Sequence, residues 1–313
     1  MITFFTTFKD FKGKNRINQF NAIRSWLALG KDIEVIIFSE SEGVETVLTD
    51  PRIKYIKDVQ LHDDRIPLIG PMFNEADRIS KHKICCFING DIIVTELFKN
   101  TLIELDQKLK KNYLLVGQKA NVDVNEELVF DKGWEARFHQ KHAAHYEEKL
   151  HGMDYFVFPK GQYANYKFPT LLVGRVGWDL WMVYHARLEK IKSVDITPTI
   201  KPIHQNHDYK HKINNKAKRA IEDNINFEAF PAQKFHFFTP KTSAYIYENQ
   251  QIKRNFAGGD IETYLRTKLT LSENKIISKF LLMLVAEKSI FANALTKNIG
   301  TNLFKLLAQR QLL

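Results

Sequence analysis

The stretch FINGDIIV, Phe87 to Val94, interrupts a run that is otherwise apolar with the polar triplet Asn89-Gly90-Asp91. A strand buried in a sheet is typically a continuous hydrophobic segment, as the flanking CCFI and IIV are. Asn-Gly commonly marks a turn, so the strand either ends there in a plain turn or uses the turn to present Asp91 to a group that needs a carboxylate. The sequence around it indicates which fold surrounds this turn.

Strands and helices alternate along the first part of the chain. The strands are indicated by ITFFTTF (2–8), IEVIIFSE (33–40), IKYIKDV (53–59) and the strand that contains FINGDIIV, and the helices by INQFNAIRSWLALG (17–30) and PMFNEADRISKH (71–82). This alternation predicts an α/β fold, with a Rossmann-like, mostly parallel sheet flanked by helices. Ligands of such sheets bind at the carboxyl ends of the strands, where Thr6, Thr7, Glu40 and Asp91 fall.

The later segments differ in character. LLVGQKANVDV (114–124) predicts a strand, and the segment that follows it through His151 predicts a helix and a loop. DYFVFPKGQY and VGRVGWDLWMVYHARLEK predict a strand, a turn and a helix. SVDITPTIKPIHQNHDYKH predicts a short strand before a histidine-rich loop. Two lysine-rich amphipathic helices are predicted from about Ile261 to Leu313. We therefore divide the chain into residues 1–120 and 121–235, the two halves of one domain, and a C-terminal helical extension, residues 236–313.

Composition limits the classes of partner and compartment. The 313 residues carry a net charge of +10, which favours anionic partners such as nucleotide phosphates or lipid headgroups. Cys85 and Cys86 are adjacent within an apolar strand, so we expect buried free thiols in a reducing compartment. The apolar run FLLMLVA is far shorter than a membrane-spanning helix requires. We expect a cytoplasmic protein, soluble or peripheral at the inner face of the membrane.

Two groups of side chains suit a metal ion. Asp91 offers a carboxylate to a hard cation such as Mg²⁺ or Mn²⁺. The predicted loop HQNHDYKH supplies His204, His207, Asp208 and His211, and imidazole suits Mn²⁺ as well as zinc. A zinc site would require further cysteine or histidine ligands at suitable spacing. A capping aspartate in a plain turn and a surface histidine cluster are the alternatives.

A third group combines acids with tryptophans. Asp179 lies between Trp178 and Trp181 at the start of a predicted helix. It is either a first-turn acid that interacts with the helix dipole or a general base in an aromatic-walled cleft. The tryptophans are either core residues or sugar-stacking surfaces. Asp154 either begins a strand or binds sugar hydroxyls.

Taken together, these segments resemble a nucleotide-diphospho-sugar transferase of the glycosyltransferase GT-A fold, in particular bacterial glycosyltransferase-like proteins with the pattern DYFVFP…GRxGWDxW…HQNHDY. The resemblance covers about residues 1–235. It makes residues 1–120 the nucleotide-sugar-binding half of one GT-A domain and residues 121–235 its acceptor-binding half. It makes NGD a variant of the DxD motif, with Asn89 in place of the first acid and Asp91 as the metal ligand, completed by His207 or else His204. It also implies nucleoside contacts for Thr6, Thr7 and Glu40, and a nucleotide contact for Arg65.

The same resemblance assigns the catalytic base of an inverting reaction to Asp179, and donor-sugar or acceptor contacts to Asp154. It implies transfer of a sugar from a nucleotide-diphosphate donor to a hydroxyl of a glycan or lipid-linked acceptor, with Mg²⁺ or Mn²⁺. The basic C-terminal helices could then rest on an anionic membrane or on a second copy of the chain.

Two other functions remain open. A sugar-phosphate nucleotidyltransferase would use a related sheet, but FKDFKGKNR (8–16) is poor in the glycines that a triphosphate loop needs. A non-catalytic anion-binding or nucleic-acid-binding protein is suggested only by the net charge, and no nucleic-acid motif is present.

Overall fold

A nine-stranded sheet forms the centre of the protein in the computed structural model, which describes residues 1–63, 65–142, 152–207, 216–230, 238–272, 274, 276 and 277. From edge to edge its strands are β14 (Gln251–Arg254), β13 (Tyr245–Glu248), β11 (Lys192–Asp195), β8 (Tyr113–Val116), β10 (Tyr155–Pro159), β6 (Ile84–Ile88), β1 (Ile2–Thr6), β2 (Ile33–Phe38) and β3 (Ile53–Ile56). Only β10 and β14 run antiparallel to their neighbours. The predicted α/β class with a mostly parallel sheet is confirmed.

Two smaller sheets accompany the central one. One contains β7 (Ile92–Ile93), β12 (Ile203–Gln205) and β9 (Ala120–Val122) in that order, and the other is the hairpin of β4 (Leu61–His62) and β5 (Ile66–Pro67). The apolar pattern predicts one continuous strand through FINGDIIV and another through LLVGQKANVDV. Each is in fact two strands, because the chain leaves the central sheet at a turn and enters the three-stranded sheet.

Helices cover both faces of the central sheet. They are α1 (Gly13–Ala28), α2 (Ile69–Ile79), α3 (Glu96–Leu109), α4 (Trp134–His142), α5 (Trp178–Leu188), α6 (Lys216–Glu228) and α7 (Ile261–Leu271). Because side chains of a strand alternate between faces, Phe4 joins the hydrophobic cluster under α1 and α3, whereas Phe5 joins the cluster under α2 and α5. The adjacent Cys85 and Cys86 likewise face opposite sides, and both are buried free thiols, as predicted.

Two details of the second half differ from the sequence analysis. His204 lies in a strand, β12, and not in a loop, because the pairing of β12 with β7 and β9 is long-range and leaves no local pattern. The region after residue 236 also contains a hairpin, β13 and β14, that extends the central sheet. Of the two predicted C-terminal helices, the structure describes the first as α7, and the second lies outside the described residues.

None of the described helices is long and apolar enough to cross a membrane. Most of the basic amphipathic tail falls after Ile277, outside the described residues. Membrane association and self-association through that tail therefore stay predictions.

Candidate functional site

The triplet Asn89-Gly90-Asp91 forms a turn at the carboxyl end of β6. The Ile92 N–H donates to the Asn89 carbonyl at 3.2 Å and closes the turn. Asn89 is fixed to Asp154 twice, since its backbone N–H donates to the Asp154 carbonyl at 2.9 Å and its side-chain amide to the Asp154 carboxylate at 2.8 Å. A Cβ on Gly90 would lie 2.5 Å from the Phe8 ring, so any other residue would require that ring to shift. The turn thus holds Asp91 in a fixed place beyond the strand.

The pairing of β12 with β7 brings two histidines to Asp91. His204 pairs with Ile92, directly after the turn. The Nε2 atoms of His207 and His204 lie 3.1 Å and 3.5 Å from Asp91 Oδ2. One potential ligand atom from each of these three residues lies within 4.8 Å of the others. The predicted metal ligands therefore meet at one point, although more than a hundred residues separate Asp91 from the histidines along the chain.

Gln205 holds this strand in register. Its side-chain amide donates to the Asn18 carbonyl at 2.8 Å and to the Asp91 carbonyl at 3.1 Å, and its side-chain oxygen accepts from Asn21 at 2.9 Å. Gln205 is fully buried, so these bonds form away from water. Two asparagines of α1 thereby fix the position of His204 relative to Asp91, because His204 immediately precedes Gln205.

The electrostatic surroundings of Asp91 favour its ionised form. Burial by itself would raise the pKa of Asp91, but the charges of His204 and Lys119 and hydrogen bonds from both histidines hold that pKa well below its usual range. Asp91 Oδ1 is buried and accepts no hydrogen bond from any described residue. An ionised carboxylate with an unused oxygen beside two imidazoles fits a divalent cation. This mixed donor set suits Mn²⁺ better than Mg²⁺, which prefers oxygen ligands alone.

Lys119 is a member of the site that the sequence analysis missed. It forms an ion pair with Asp154, and the side chains of both are nearly buried. The charge of Lys119 also helps to lower the pKa of Asp91, so this lysine influences both acids. The only feature of the sequence that could have indicated Lys119 is its position three residues after β8, at the same carboxyl edge of the sheet as Asp91. That signal is weak because lysine is abundant in this chain.

Asp179 lies in the first turn of α5, which begins after Gly177 in a left-handed conformation with φ of 110°. Burial raises the pKa of Asp179 to about 6. The charge of Asp154 adds to the rise, whereas backbone N–H groups at the helix start oppose it. A carboxyl group with a pKa near neutrality can accept a proton from a substrate hydroxyl and release it again. This pKa is compatible with the predicted role of Asp179 as a general base, which stays a prediction.

Helix α6 holds the segment that leads into Asp179. The Asn226 side chain accepts from the Leu172 N–H at 2.7 Å and donates to the Leu172 carbonyl at 3.2 Å. Glu222 of the same helix binds Arg175 at 2.7 Å and Arg65 at 3.2 Å. Arg65, the predicted nucleotide contact, is therefore paired with α6, while its side chain remains 48% exposed.

The two tryptophans beside Asp179 pack in the core. Trp178 is 5% exposed and contacts the Phe87 and Phe156 rings, each with ring centroids 5.1 Å apart. Trp181 is 4% exposed and stacks on His185 at 4.8 Å. Little of either ring is open to a sugar. The predicted stacking role stays a prediction. Through Phe87, Trp178 connects the helix of Asp179 to β6, the strand that ends just before Asn89.

The predicted nucleoside contacts lie at the same edge of the sheet. Thr6 ends β1 and is buried, and its hydroxyl donates to the Thr7 carbonyl at 3.3 Å. Glu40 is exposed two residues after β2, which pairs in parallel with β1. Since β1 also pairs in parallel with β6, these ends line up with the turn that carries Asp91. The roles of the three residues stay predictions.

A cavity of about 490 Å³ lies elsewhere, between α2 and the segment 164–171. Asn74 and Tyr166 are among its lining residues, and none of the predicted site residues is. The cluster at the carboxyl edge is therefore defined by its side chains and not by this cavity.

Comparison with known proteins gives partial likenesses only. No family model and no curated protein matches the sequence. Among solved structures, S. aureus TarS 1–349 is similar with a TM-score of 0.31 and 11% identity over 39% of this chain and 36% of that one. The same protein in complex with UDP-GlcNAc is similar with a TM-score of 0.29 and 12% identity, over 41% of this chain and 36% of that one. HddC from Yersinia pseudotuberculosis is similar with a TM-score of 0.32 and 13% identity, over 55% of this chain and 82% of that one.

The chain thus spans little more than a third of the length of TarS 1–349. At these TM-scores and identities the likeness carries no argument about what this chain binds or catalyses.

Proposed function

We propose that this protein is a metal-dependent glycosyltransferase that moves a sugar from a nucleotide-diphosphate donor to a hydroxyl group of a glycan or lipid-linked acceptor, with inversion. The observation that carries the proposal is the convergence of Asp91, His204 and His207 at the carboxyl edge of a mostly parallel sheet. Ligands of such sheets bind at this edge.

The metal ligands in this proposal are Asp91, His204 and His207. Their donor set favours Mn²⁺ and leaves Mg²⁺ as the weaker candidate. When bound, a divalent cation supplies positive charge that stabilises the negative charge developing on the leaving diphosphate. Asp91 contributes by remaining ionised, because its pKa is held well below the usual range.

Asp179 is the proposed general base. It removes the proton of the acceptor hydroxyl while the hydroxyl oxygen forms a bond to the anomeric carbon, and the bond from that carbon to the diphosphate breaks. The support is a pKa raised to about 6, which leaves Asp179 mostly ionised at neutral pH yet basic enough to take a proton. Such assistance typically contributes about 10²–10⁴-fold in rate.

The remaining predicted residues complete the proposal around the donor and acceptor. The nucleotide contacts are Thr6, Thr7, Glu40, Arg65 and Asn89, and the sugar contacts are Asp154, Trp178 and Trp181. Asp154 has the strongest structural support, because its ion pair with Lys119 and its hydrogen bonds with Asn89 fix its carboxylate close to the Asp91 turn.

The first experiment is a thermal-shift screen of UDP, GDP, CDP and dTDP and their sugars, with and without Mn²⁺. A ligand of the folded state at about a hundredfold excess over Kd stabilises it by about 2.7 kcal/mol, which gives a visible shift. We expect a metal-dependent shift for one nucleotide. This shift should be lost in Asp91→Ala and kept in Asp32→Ala. The Asp32 side chain is exposed directly before β2, at the amino ends of the parallel strands and thus opposite the site.

Turnover assays then define the reaction. Release of the nucleoside diphosphate from its sugar, dependent on Asp179 and on an acceptor, supports a glycosyltransferase. Formation of a nucleotide sugar and pyrophosphate from a nucleoside triphosphate and a sugar phosphate would instead identify a nucleotidyltransferase. Absence of any nucleotide shift would refute the donor-binding proposal.

A further inference from the structure

The loop between β1 and α1 lies directly on the turn that carries Asp91. The Phe8 ring occupies the space beside Gly90, and the Thr7 carbonyl oxygen lies 3.5 Å from the position that a Gly90 Cβ would take. The Phe8 carbonyl accepts a hydrogen bond of 2.6 Å from the Ser41 hydroxyl. Thr7 and Phe8 are therefore held between the turn and the segment after β2. Lys9 follows them immediately.

The backbone of Lys9 is clamped by one side chain. The amide of Gln19, on α1, donates to the Lys9 carbonyl at 2.9 Å, and its oxygen accepts from the Lys9 N–H at 2.9 Å. Gln19 is only 5% exposed, so this two-bond contact is shielded from water. The clamp leaves the Lys9 side chain free to extend while its Cα is fixed.

The side chain of Lys9 differs from those of the other lysines in this loop. Lys12 forms an ion pair with Glu42 at 2.5 Å, and Lys14 donates to the Val124 carbonyl. Lys9 is exposed, and its amine makes no ion pair with any residue that the structure describes. Partial burial of the amine lowers the pKa of Lys9, and the charge of Asp91 opposes that fall. The amine therefore lies within electrostatic reach of a proposed metal ligand.

We propose that Lys9 binds the diphosphate of the nucleotide donor, as a positive charge close to the proposed metal ligands. This inference rests on the proposed function and adds a phosphate-binding residue that the sequence analysis did not nominate. A lysine amine is a common phosphate-binding group that acts as a point charge. A diphosphate bound at the proposed metal ligands would bring negative charge next to Lys9, whose amine has no ion-pair partner among the described residues.

The test is calorimetric titration of the wild-type protein, Lys9→Ala, Lys9→Arg and Lys12→Ala in the presence of Mn²⁺. The probes are UDP, GDP, CDP and dTDP, and then the nucleoside of the diphosphate that binds most tightly. Lys9→Ala should bind that diphosphate at least about tenfold more weakly, as expected for a lost hydrogen bond between charged groups. It should bind the nucleoside within about twofold of wild type, since the lost contact is to phosphate. Lys9→Arg should retain most of the affinity, and Lys12→Ala all of it.

The outcomes separate this inference from the function on which it rests. Wild-type binding of a diphosphate with equal affinity in Lys9→Ala and Lys12→Ala overturns the role of Lys9 and leaves the donor proposal intact. Equal losses for diphosphate and nucleoside in Lys9→Ala also overturn it, because the residue would then shape the loop and not bind phosphate. No diphosphate binding by the wild-type protein overturns both. A loss confined to the diphosphate supports the assignment.

Discussion

Replacing Asp179 by asparagine should lower turnover and raise stability at the same time. Asparagine keeps the size of the side chain and an oxygen that accepts the backbone N–H groups, but it cannot take a proton from an acceptor. If Asp179 is the base, turnover falls about 10²–10⁴-fold while nucleotide binding is nearly unchanged. The gain in stability arises because the substitution removes a charge that burial disfavours.

The size of that gain follows from the pKa. The shift from 3.8 to about 6 is about two units, and each unit corresponds to about 1.36 kcal/mol. Ionised Asp179 therefore costs the folded state up to about 3 kcal/mol at neutral pH. Because the side chain is partly exposed, solvent screens part of this cost, and we expect Asp179→Asn to gain about 1–3 kcal/mol.

The sign of the pH dependence is fixed by the same shift. Below the unfolded-state pKa of 3.8, Asp179 is protonated in both states and costs nothing. As pH rises, the folded state keeps the proton longer, so the cost grows through this window and is complete above about pH 6. The advantage of Asp179→Asn should thus be full at pH 7 and shrink towards pH 4. Wild-type turnover should decline below about pH 6 as the base becomes protonated.

Chemical unfolding at several pH values, monitored by fluorescence, measures the change in the free energy of unfolding. An assay of donor turnover measures the change in catalytic rate. Asp32→Asn is the matched control, since Asp32 is exposed at the opposite edge of the sheet. Unchanged turnover in Asp179→Asn would remove Asp179 from the role of base. A loss of stability at pH 7 would show that the ionised carboxylate is stabilised and would refute the reasoning from burial.

Three further predictions concern the turn and its partners. Asp91→Ala should abolish Mn²⁺ binding in calorimetry, and wild-type binding should weaken as pH falls because imidazoles bind metals only when neutral; equal affinity in the variant would contradict the ligand assignment. Gly90→Ala should lower the free energy of unfolding, measured with denaturant, by about 1–3 kcal/mol, because the new Cβ would overlap the Phe8 ring. A free energy of unfolding equal to that of wild type would show that the ring moves aside freely. Gln205→Leu should lower the free energy of unfolding by about 1–3 kcal/mol, because Asn21 and the Asn18 carbonyl lose their buried partner. It should also weaken Mn²⁺ binding. A loss of stability with unchanged Mn²⁺ affinity would show that Gln205 does not position the metal ligands.

Local sequence patterns located several elements of the first half but missed helix α3 and the hairpin of β4 and β5. Apolar runs and helical periodicity act over a few residues, so they located β1, α1, β2 and α2 closely. The Asn-Gly pair located the turn, and its position after an apolar run placed Asp91 at the end of a strand. The resemblance then nominated the histidines that meet Asp91 in the structure.

Lys9 and Lys119 could not be selected in the same way. A chain with 46 lysines and arginines gives no reason to prefer two of them. What distinguishes Lys9 is the Gln19 clamp and the electrostatic reach of Asp91, and what distinguishes Lys119 is burial beside Asp154. Burial and proximity are properties of the folded chain and leave no trace in local composition.

The sequence by itself determined the alternating elements, the turn and the acid that follows it, because these depend on neighbours in the chain. Only the tertiary structure decided that β12 returns to pair with β7, which brings His207 to an aspartate 116 residues earlier. Backbone hydrogen bonds between strands are the same for every pair of residues, so the partner of β12 is chosen by burial and by side chains such as Gln205, which reaches Asn18 and Asn21 on α1. Those contacts exist only once the central sheet and α1 are packed, and the site forms with them.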